Sequence, residues 1–285
     1  MSRQLAAAVT VALGLLVGVA CGGSTPTTAN TSCKSTLNHP PLAKAGTFVM
    51  ATNATLPPMQ YVDANGNVIG MRVELGNDIA AKLCLTPEWV NVPLDSMIPG
   101  VQDGRWDMIN TGMFYTVARA QVVKLVPYEE QGVAISVAKG NPKNINTTDD
   151  LSGKAIAVEA PGYEYDTLTG INTQLKASGK SPIDIRTFQT TAEAYQALQA
   201  GQVDGVAIVG AVVTYYSKQG QFSTAINNIN PAPLAFGFNN ADVANAVADA
   251  LNQLKTDGTL DALFKKYNAT LFPGPYKVQT GPLSI

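Results

Sequence analysis

The chain has 285 residues, with 19 Lys plus Arg against 21 Asp plus Glu, one His, three Cys, 46% hydrophobic and 14% charged residues. That length holds one large domain or two ordinary ones with real cores, at roughly 100–200 residues per domain. A formal charge of −2 with no run of Lys and Arg argues against nucleic acid, and the single histidine, His39 in Asn38-His39-Pro40-Pro41, leaves Ser-His-Asp, Cys-His and His-based zinc chemistry without the residues they need.

Residues 1–30 read as an export segment. Arg3 gives a positive start, and the uncharged run from Leu5 to Ala20 is short against the about 20 residues of a bilayer span. One reading is a signal peptide cut without lipidation. The preferred one is a lipoprotein signal over residues 1–20, because Val19-Ala20-Cys21-Gly22-Gly23-Ser24 resembles a bacterial lipobox, from which Gly18 departs. Cys21 would then carry lipid on the outer face of the cell membrane, and residues 21–45 would form a tether rich in Thr, Ser, Asn and Pro. Cys33 and Cys84 remain as a pair, read as a disulfide outside the cytoplasm, the alternative being two separate thiols.

From Gly46 onward strand-like and helix-like stretches alternate, which predicts an α/β fold with mainly parallel sheets. Thr47–Ala51 reads as a strand running into Leu56-Pro57-Pro58. Tyr61-Val62 and Val68-Ile69 flank Asn65-Gly66, a hairpin signal because that pair accepts positive φ. Val73 to Leu85 reads as a helix, with Val73, Ile79 and Leu83 on one stripe and Glu74, Asp78 and Lys82 on another. Further strands are expected at Glu88–Val92, Met108–Asn110, Ala134–Ala138, Ala155–Val158, Ile183–Phe188 and Val206–Val209.

An internal echo stands out: Val101-Gln102-Asp103-Gly104-Arg105-Trp106-Asp107-Met108-Ile109 is matched by Leu198-Gln199-Ala200-Gly201-Gln202-Val203-Asp204-Gly205-Val206. In each, an amphipathic helix closes at a glycine and a short turn feeds an apolar strand, which predicts two lobes of similar build. Open α/β sheets bind ligands beyond the carboxyl ends of their strands, so the loops after those strands matter most. After the first copy, Asn110 to Arg119 offers backbone N–H groups near a helix start at Thr116, the Thr111 hydroxyl, close approach at Gly112 and the Arg119 guanidinium. Together these outline a clamp for a planar anion such as a carboxylate.

Asp107 to Arg119, with Gly70-Met71-Arg72-Val73-Glu74-Leu75, Pro127-Tyr128-Glu129-Glu130-Gln131-Gly132, Thr148-Asp149-Asp150-Leu151-Ser152-Gly153-Lys154 and the stretch Leu254 to Tyr267, resembles the polar-amino-acid family of solute-binding proteins that serve ABC importers. The resemblance covers Gly46 to Tyr267 and implies a two-lobed periplasmic-binding-protein-like fold, with two parallel or mixed sheets joined by crossover strands at Gly132–Ala138 and Leu234–Phe238. Residues 46–133 and 235–285 would form lobe 1 and residues 134–234 lobe 2. It further implies no catalysis, no cofactor and no metal, a single copy of the chain, a small-molecule ligand and an ABC permease as partner. Carried over by position, Arg119 would grip a ligand carboxylate, Thr111 assist it, and the Gly112 carbonyl accept from a ligand amine. Met59 and Tyr61 would lie over the ligand, while Pro161, Gly162 and Tyr163 stand where the family has Gly-Thr-Thr, with Gly162 or Tyr163 supplying an N–H.

Two departures bear on the ligand. Val209 stands where the family presents an Asp to the α-ammonium, and a buried ammonium without a partner costs several kcal/mol. Phe114 replaces a small polar residue and, with Tyr61, Tyr115, Tyr163 and Tyr165, surrounds the expected cleft with ring faces that attract diffuse cations. The expected ligand therefore carries a carboxylate at one end and an apolar or delocalised cationic part at the other. Two competing readings are an exported dehydratase-type enzyme acting on a cyclic carboxylic acid, with Glu159, Glu164, Glu129 or Glu130 as general acid, and a sensory module acting through another protein.

Overall fold

A computed structural model describes residues 33–35, 37, 41–159 and 162–283. The chain divides into two units, Met1–Cys33 and Lys34–Ile285. In the first only Cys33 is described; it is disulfide-bonded, as is Cys84 in the second. The expected export segment, Cys21, His39, Pro161 and most of the tether lie outside the described residues.

In the second unit, β1 (Thr47–Thr52) is buried at every position, as a strand flanked on both sides must be. After β2 (Thr55–Leu56), β3 (Gln60–Val62) and β4 (Val68–Ile69) pair antiparallel through the expected turn, where Gly66 has φ 85° and Asp63 Oδ1 accepts from the Asn65 and Asn67 N–H groups, both at 2.8 Å. The first helix, α1 (Met71–Lys82), begins and ends earlier than its apolar stripe predicts. Its start is set by Gly70 at φ 125°, where a Cβ would come 2.6 Å from the Met59 carbonyl oxygen, and Cys84 at φ 58° turns the chain away after its end.

Then come β5 (Thr86–Asn91), α2 (Met97–Gln102), β6 (Met108–Ile109), α3 (Val117–Val122) and the long β7 (Lys124–Ala138). The next half repeats the plan with β8 (Ala155–Glu159), α4 (Tyr163–Ala177), β9 (Asp184–Phe188), α5 (Thr191–Gln199), β10 (Gly205–Val209) and α6 (Gly210–Lys218). The chain returns through β11 (Phe222–Phe238) and ends with α7 (Ala241–Thr256), α8 (Thr259–Tyr267) and β12 (Thr270–Leu271).

The two sheets expected from the resemblance are halves of one continuous sheet, ordered β5-β1-β6-β11-β7-β10-β8-β9, with β12 added alongside β7. The expected crossovers are parts of β7 and β11, which pair antiparallel through both halves with register shifts between Thr224 and Ala235. Around this ribbon the fold is two-lobed: β5, β1 and β6 are parallel on one side, and β10, β8 and β9 on the other. Since β6 runs antiparallel to β11 and β10 antiparallel to β7, the two parallel sets point their carboxyl ends at one another. The final segment packs on the first lobe: Gln279 and Leu125 exchange both backbone hydrogen bonds at 2.7 and 3.0 Å, and Phe272 and Tyr276 are buried.

The echo in the sequence is a repeated structural joint. Gly104 and Gly201 take φ 71° and 69° at the ends of α2 and α5, the left-handed closure that glycine accepts. Asp107 then receives the N–H of Val49 in β1 at 2.8 Å and that of Ala43 at 2.7 Å, while Asp204 receives that of Ala155 in β8 at 2.9 Å. Each aspartate ties a helix-to-strand turn to the neighbouring parallel strand. Asp107→Ala is expected to cost about 2–4 kcal/mol, since two N–H groups lose their acceptor, and Asp204→Ala about half as much. Lower urea midpoints at an unchanged m-value would show it.

Candidate ligand-binding site

The facing strand ends enclose a small cavity of about 20 Å³, lined by Asn53, Leu56, Leu94, Thr111, Gly112 and Phe114 of the first lobe, Arg119 at the start of α3, and Glu159, Glu164, Ile208 and Val209 of the second. Asn53 follows β1, Thr111 and Gly112 follow β6, and Glu159 and Val209 end β8 and β10. The site is therefore built where the sheet topology predicts it.

Arg119 is placed by local chemistry. Thr116 caps α3, its side chain accepting from the Arg119 N–H at 3.2 Å, and one turn of helix then carries the half-buried guanidinium to the cavity. Its Nη1 donates to the Phe114 carbonyl at 2.7 Å, and it makes no ion pair with a described residue. Burial lowers its pKa, while Glu164 and Asp166 push the other way. A partly desolvated cation with donors to spare can take up an anion such as a carboxylate.

The opposite wall is acidic. Glu159 accepts from Asn53 Nδ2 across the cleft through Oε1 and from Thr191 Oγ1 at 2.5 Å through Oε2, so both its oxygens are used. Burial nevertheless holds its carboxyl above the usual range. Glu164, in the first turn of α4, is pushed up to about 7 by burial, with Arg119 opposing and Glu159 and Asp166 reinforcing the rise. A second cross-cleft contact stacks Phe114 on Tyr163, ring centroids 4.3 Å apart, and the Tyr163 hydroxyl donates to the Asn230 carbonyl at 2.8 Å.

Of the residues singled out from sequence, Thr111, Gly112, Phe114, Arg119 and Val209 line the cavity together. Gly162 caps α4 and Tyr163 follows it, bearing on Phe114. Tyr61 sits half-buried on β3 and does not line the cavity. Met59 is fully buried in the core instead, because the turn from Leu56 folds it back over α1, its carbonyl accepting from the Arg72 N–H at 2.8 Å. Asn53, Leu56, Leu94 and Ile208 were not singled out, and Glu159 and Glu164 were read only as acids. Their signal was position, since Asn53, Glu159 and Ile208 all sit at or beside strand carboxyl ends.

Behind Thr111 lies a second polar group with no exposure. Arg72 and Glu129 are both fully buried; Arg72 Nε and Nη2 donate to Glu129 Oε2 at 3.0 and 2.8 Å. Arg72 Nη1 donates to Gln60 Oε1 at 2.7 Å, and Gln60 Nε2 donates to Thr111 Oγ1 at 2.8 Å. On the far side Gln131 Nε2 donates to Glu129 Oε1, and Gln131 Oε1 accepts from the Ala211 N–H of α6 at 3.0 Å.

The sequence pattern of the bacterial extracellular solute-binding proteins, family 3, matches residues 48–270. Among curated proteins, the L-cystine-binding protein TcyJ of Escherichia coli strain K12 is 26% identical over 227 residues, covering 78% of this chain and 82% of that one. A probable histidine-binding protein of Neisseria gonorrhoeae is 27% identical over 277 residues, covering 94% and 96%. Among solved structures, an ancestral arginine-binding protein bound to glutamine superposes with a TM-score of 0.71 at 30% identity, covering 79% of this chain and 98% of that one.

The folded chain holds the Glu164 proton to about pH 7, whereas an unfolded glutamate releases it near about 4.3. Between those values the native state binds more protons, so stability falls as pH rises through that window. Replacing Glu164 with Gln is expected to flatten this part of the fall, read from urea midpoints of ligand-free protein between about pH 4.5 and 7.

Proposed function

The chain belongs to family 3 of the bacterial extracellular solute-binding proteins, and from that premise we propose that it is the receptor of an ABC importer whose two lobes close on a small zwitterion. The carboxylate of the ligand sits on Arg119 with help from Thr111, and its cationic part faces Glu164. The observation that carries this reading is the half-buried guanidinium without an acidic partner, on a cavity whose far wall holds a carboxylate. Glu164 also answers the difficulty raised by Val209. Val209 lines the cavity and cannot pair with an ammonium, but a neighbouring helix supplies the charge that the strand end lacks. Relatives named for cystine and histidine, and a neighbour bound to glutamine, support an amino acid or a close analogue.

The lobes of this proposal are residues 46–133 with 235–285, and 134–234, joined where the β7 and β11 register is irregular. Met59 belongs to the core of the first lobe rather than to the contact set, and Tyr163 acts through its stack on Phe114. Lipid on Cys21 anchors the receptor to the outer face of the membrane, and a Cys33–Cys84 bridge ties the tether to the end of α1. Among the described residues no helix is long and apolar enough to cross a membrane. The dehydratase reading has less behind it, because the matched relatives are named binding proteins and both Glu159 oxygens are already engaged.

Isothermal titration with L-arginine, L-histidine, L-cystine, L-glutamine and a betaine tests the site. At least one is expected to bind, and Arg119→Ala to weaken it about 30-fold or more, the loss of one partner of a buried charged pair costing about 2–5 kcal/mol. Undiminished binding by Arg119→Ala sinks the assignment. For the anchor, metabolic labelling with a fatty acid is expected to mark the wild type and not Cys21→Ser.

A further inference from the structure

The buried Arg72 group does more than fill the core beneath the cavity. Arginine carries only N–H donors, and each of its three nitrogens already donates: Nε and Nη2 to Glu129 and Nη1 to Gln60. Gln60 must therefore present its carbonyl oxygen to Arg72, which leaves its amide nitrogen, a donor only, facing Thr111 Oγ1. A hydroxyl that already accepts there keeps its own proton for another direction, and no described residue receives it. The Thr111 backbone cannot turn to compensate, because its carbonyl accepts from the Tyr128 hydroxyl at 3.2 Å and Tyr128 is clamped by stacking on Phe236 with centroids 4.0 Å apart. The guanidinium also lies directly under the cavity floor: a Cβ on Gly112 would come 3.2 Å from Arg72 Nη1.

We propose that Arg72 is a positioning residue which, by fixing the orientation of Gln60, makes Thr111 an obligate hydrogen-bond donor into the cleft and so sets its preference for a carboxylate over a carboxamide. The proposal rests on the zwitterion-binding reading and adds to it the device that selects the anionic end. The polarity runs one way along the chain of bonds. Glu129 can only accept, Arg72 can only donate, Gln60 transmits the direction, and Thr111 delivers it. Glu129 is itself held by Gln131, whose oxygen is fixed by the Ala211 N–H, so the acceptor that Arg72 pairs with is anchored from its far side.

The test reverses the direction without changing the shape. In Gln60→Glu the side chain still accepts from Arg72 but can no longer donate, so the Thr111 proton turns inward. L-arginine, L-histidine and L-glutamine, each beside its C-terminal amide, are titrated against wild type, Gln60→Glu, Thr111→Val, the double variant and Arg119→Ala. Gln60→Glu is expected to weaken binding of the acid about tenfold to a hundredfold while the amide changes little, a ratio that a merely structural defect would not move. In the Thr111→Val background the same substitution is expected to leave that ratio unchanged. Should Gln60→Glu fail to fold, Arg72→Met with Glu129→Leu removes both buried charges together and frees Gln60 to turn over; the ratio is again expected to fall. An unchanged acid-to-amide ratio in folded variants overturns the proposal while Arg119-dependent binding still stands. Failure of the wild type to bind any of the acids, or equal binding by Arg119→Ala, overturns the reading beneath it and the proposal with it.

Discussion

The antiparallel pairing of two long strands decides the architecture. β7 and β11 lie side by side through both halves of the sheet, and every other strand of that sheet takes its direction from one or the other. Because β6 joins one side and β10 the other, both antiparallel to their long neighbour, the two parallel sets run toward each other. Their carboxyl ends therefore face across one gap, where the loops that can carry chemistry converge. A cleft receptor needs little more than this: two similar half-sheets, a shared ribbon, and register shifts in β11 where the ribbon is irregular.

Two arginines show how burial and pairing divide core from site. Arg72 has no exposure and spends its donors on Glu129 and Gln60, so its desolvation is offset by a close ion pair and hydrogen bonds. Arg119 is half-buried and gives one donor to a backbone carbonyl. The first is a finished interaction and holds parts in place; the second keeps donors unused at the edge of the cavity. The acidic residues divide in the same way, with Glu159 taken up by Asn53 and Thr191 while Glu164, in the first turn of α4, lines the cavity with its carboxyl pushed up to about 7 by burial.

Much of this was legible in the order of residues because it depends on neighbours in the chain. The Asn65-Gly66 turn, the Thr116 cap and the glycine closures at Gly104 and Gly201 are local arrangements with local causes. That Thr111, Gly112, Phe114 and Arg119 lie close together was legible for the same reason, all falling within one loop and one helical turn after β6. Met59 was misplaced because its burial depends on how the Leu56 turn folds over α1, which nothing in the local pattern records. The roles of Asn53, Glu159 and Glu164 were hidden because they arise from opposite lobes meeting.

The amino-acid sequence by itself determined the alternation of strands and helices, the duplicated joint with its paired aspartates, and the cation at the start of α3, since each follows from periodicity, turn chemistry or capping over a few residues. Only the tertiary structure decided that Glu164 and Arg119 share one cavity, that Val209 lines it beside them, and that Gln60, Arg72 and Glu129 form one hydrogen-bonded group beneath Thr111. Those relations join residues far apart in the chain, and burial creates them: a charge must find its partner wherever the fold brings one within reach, and sequence distance does not enter that requirement.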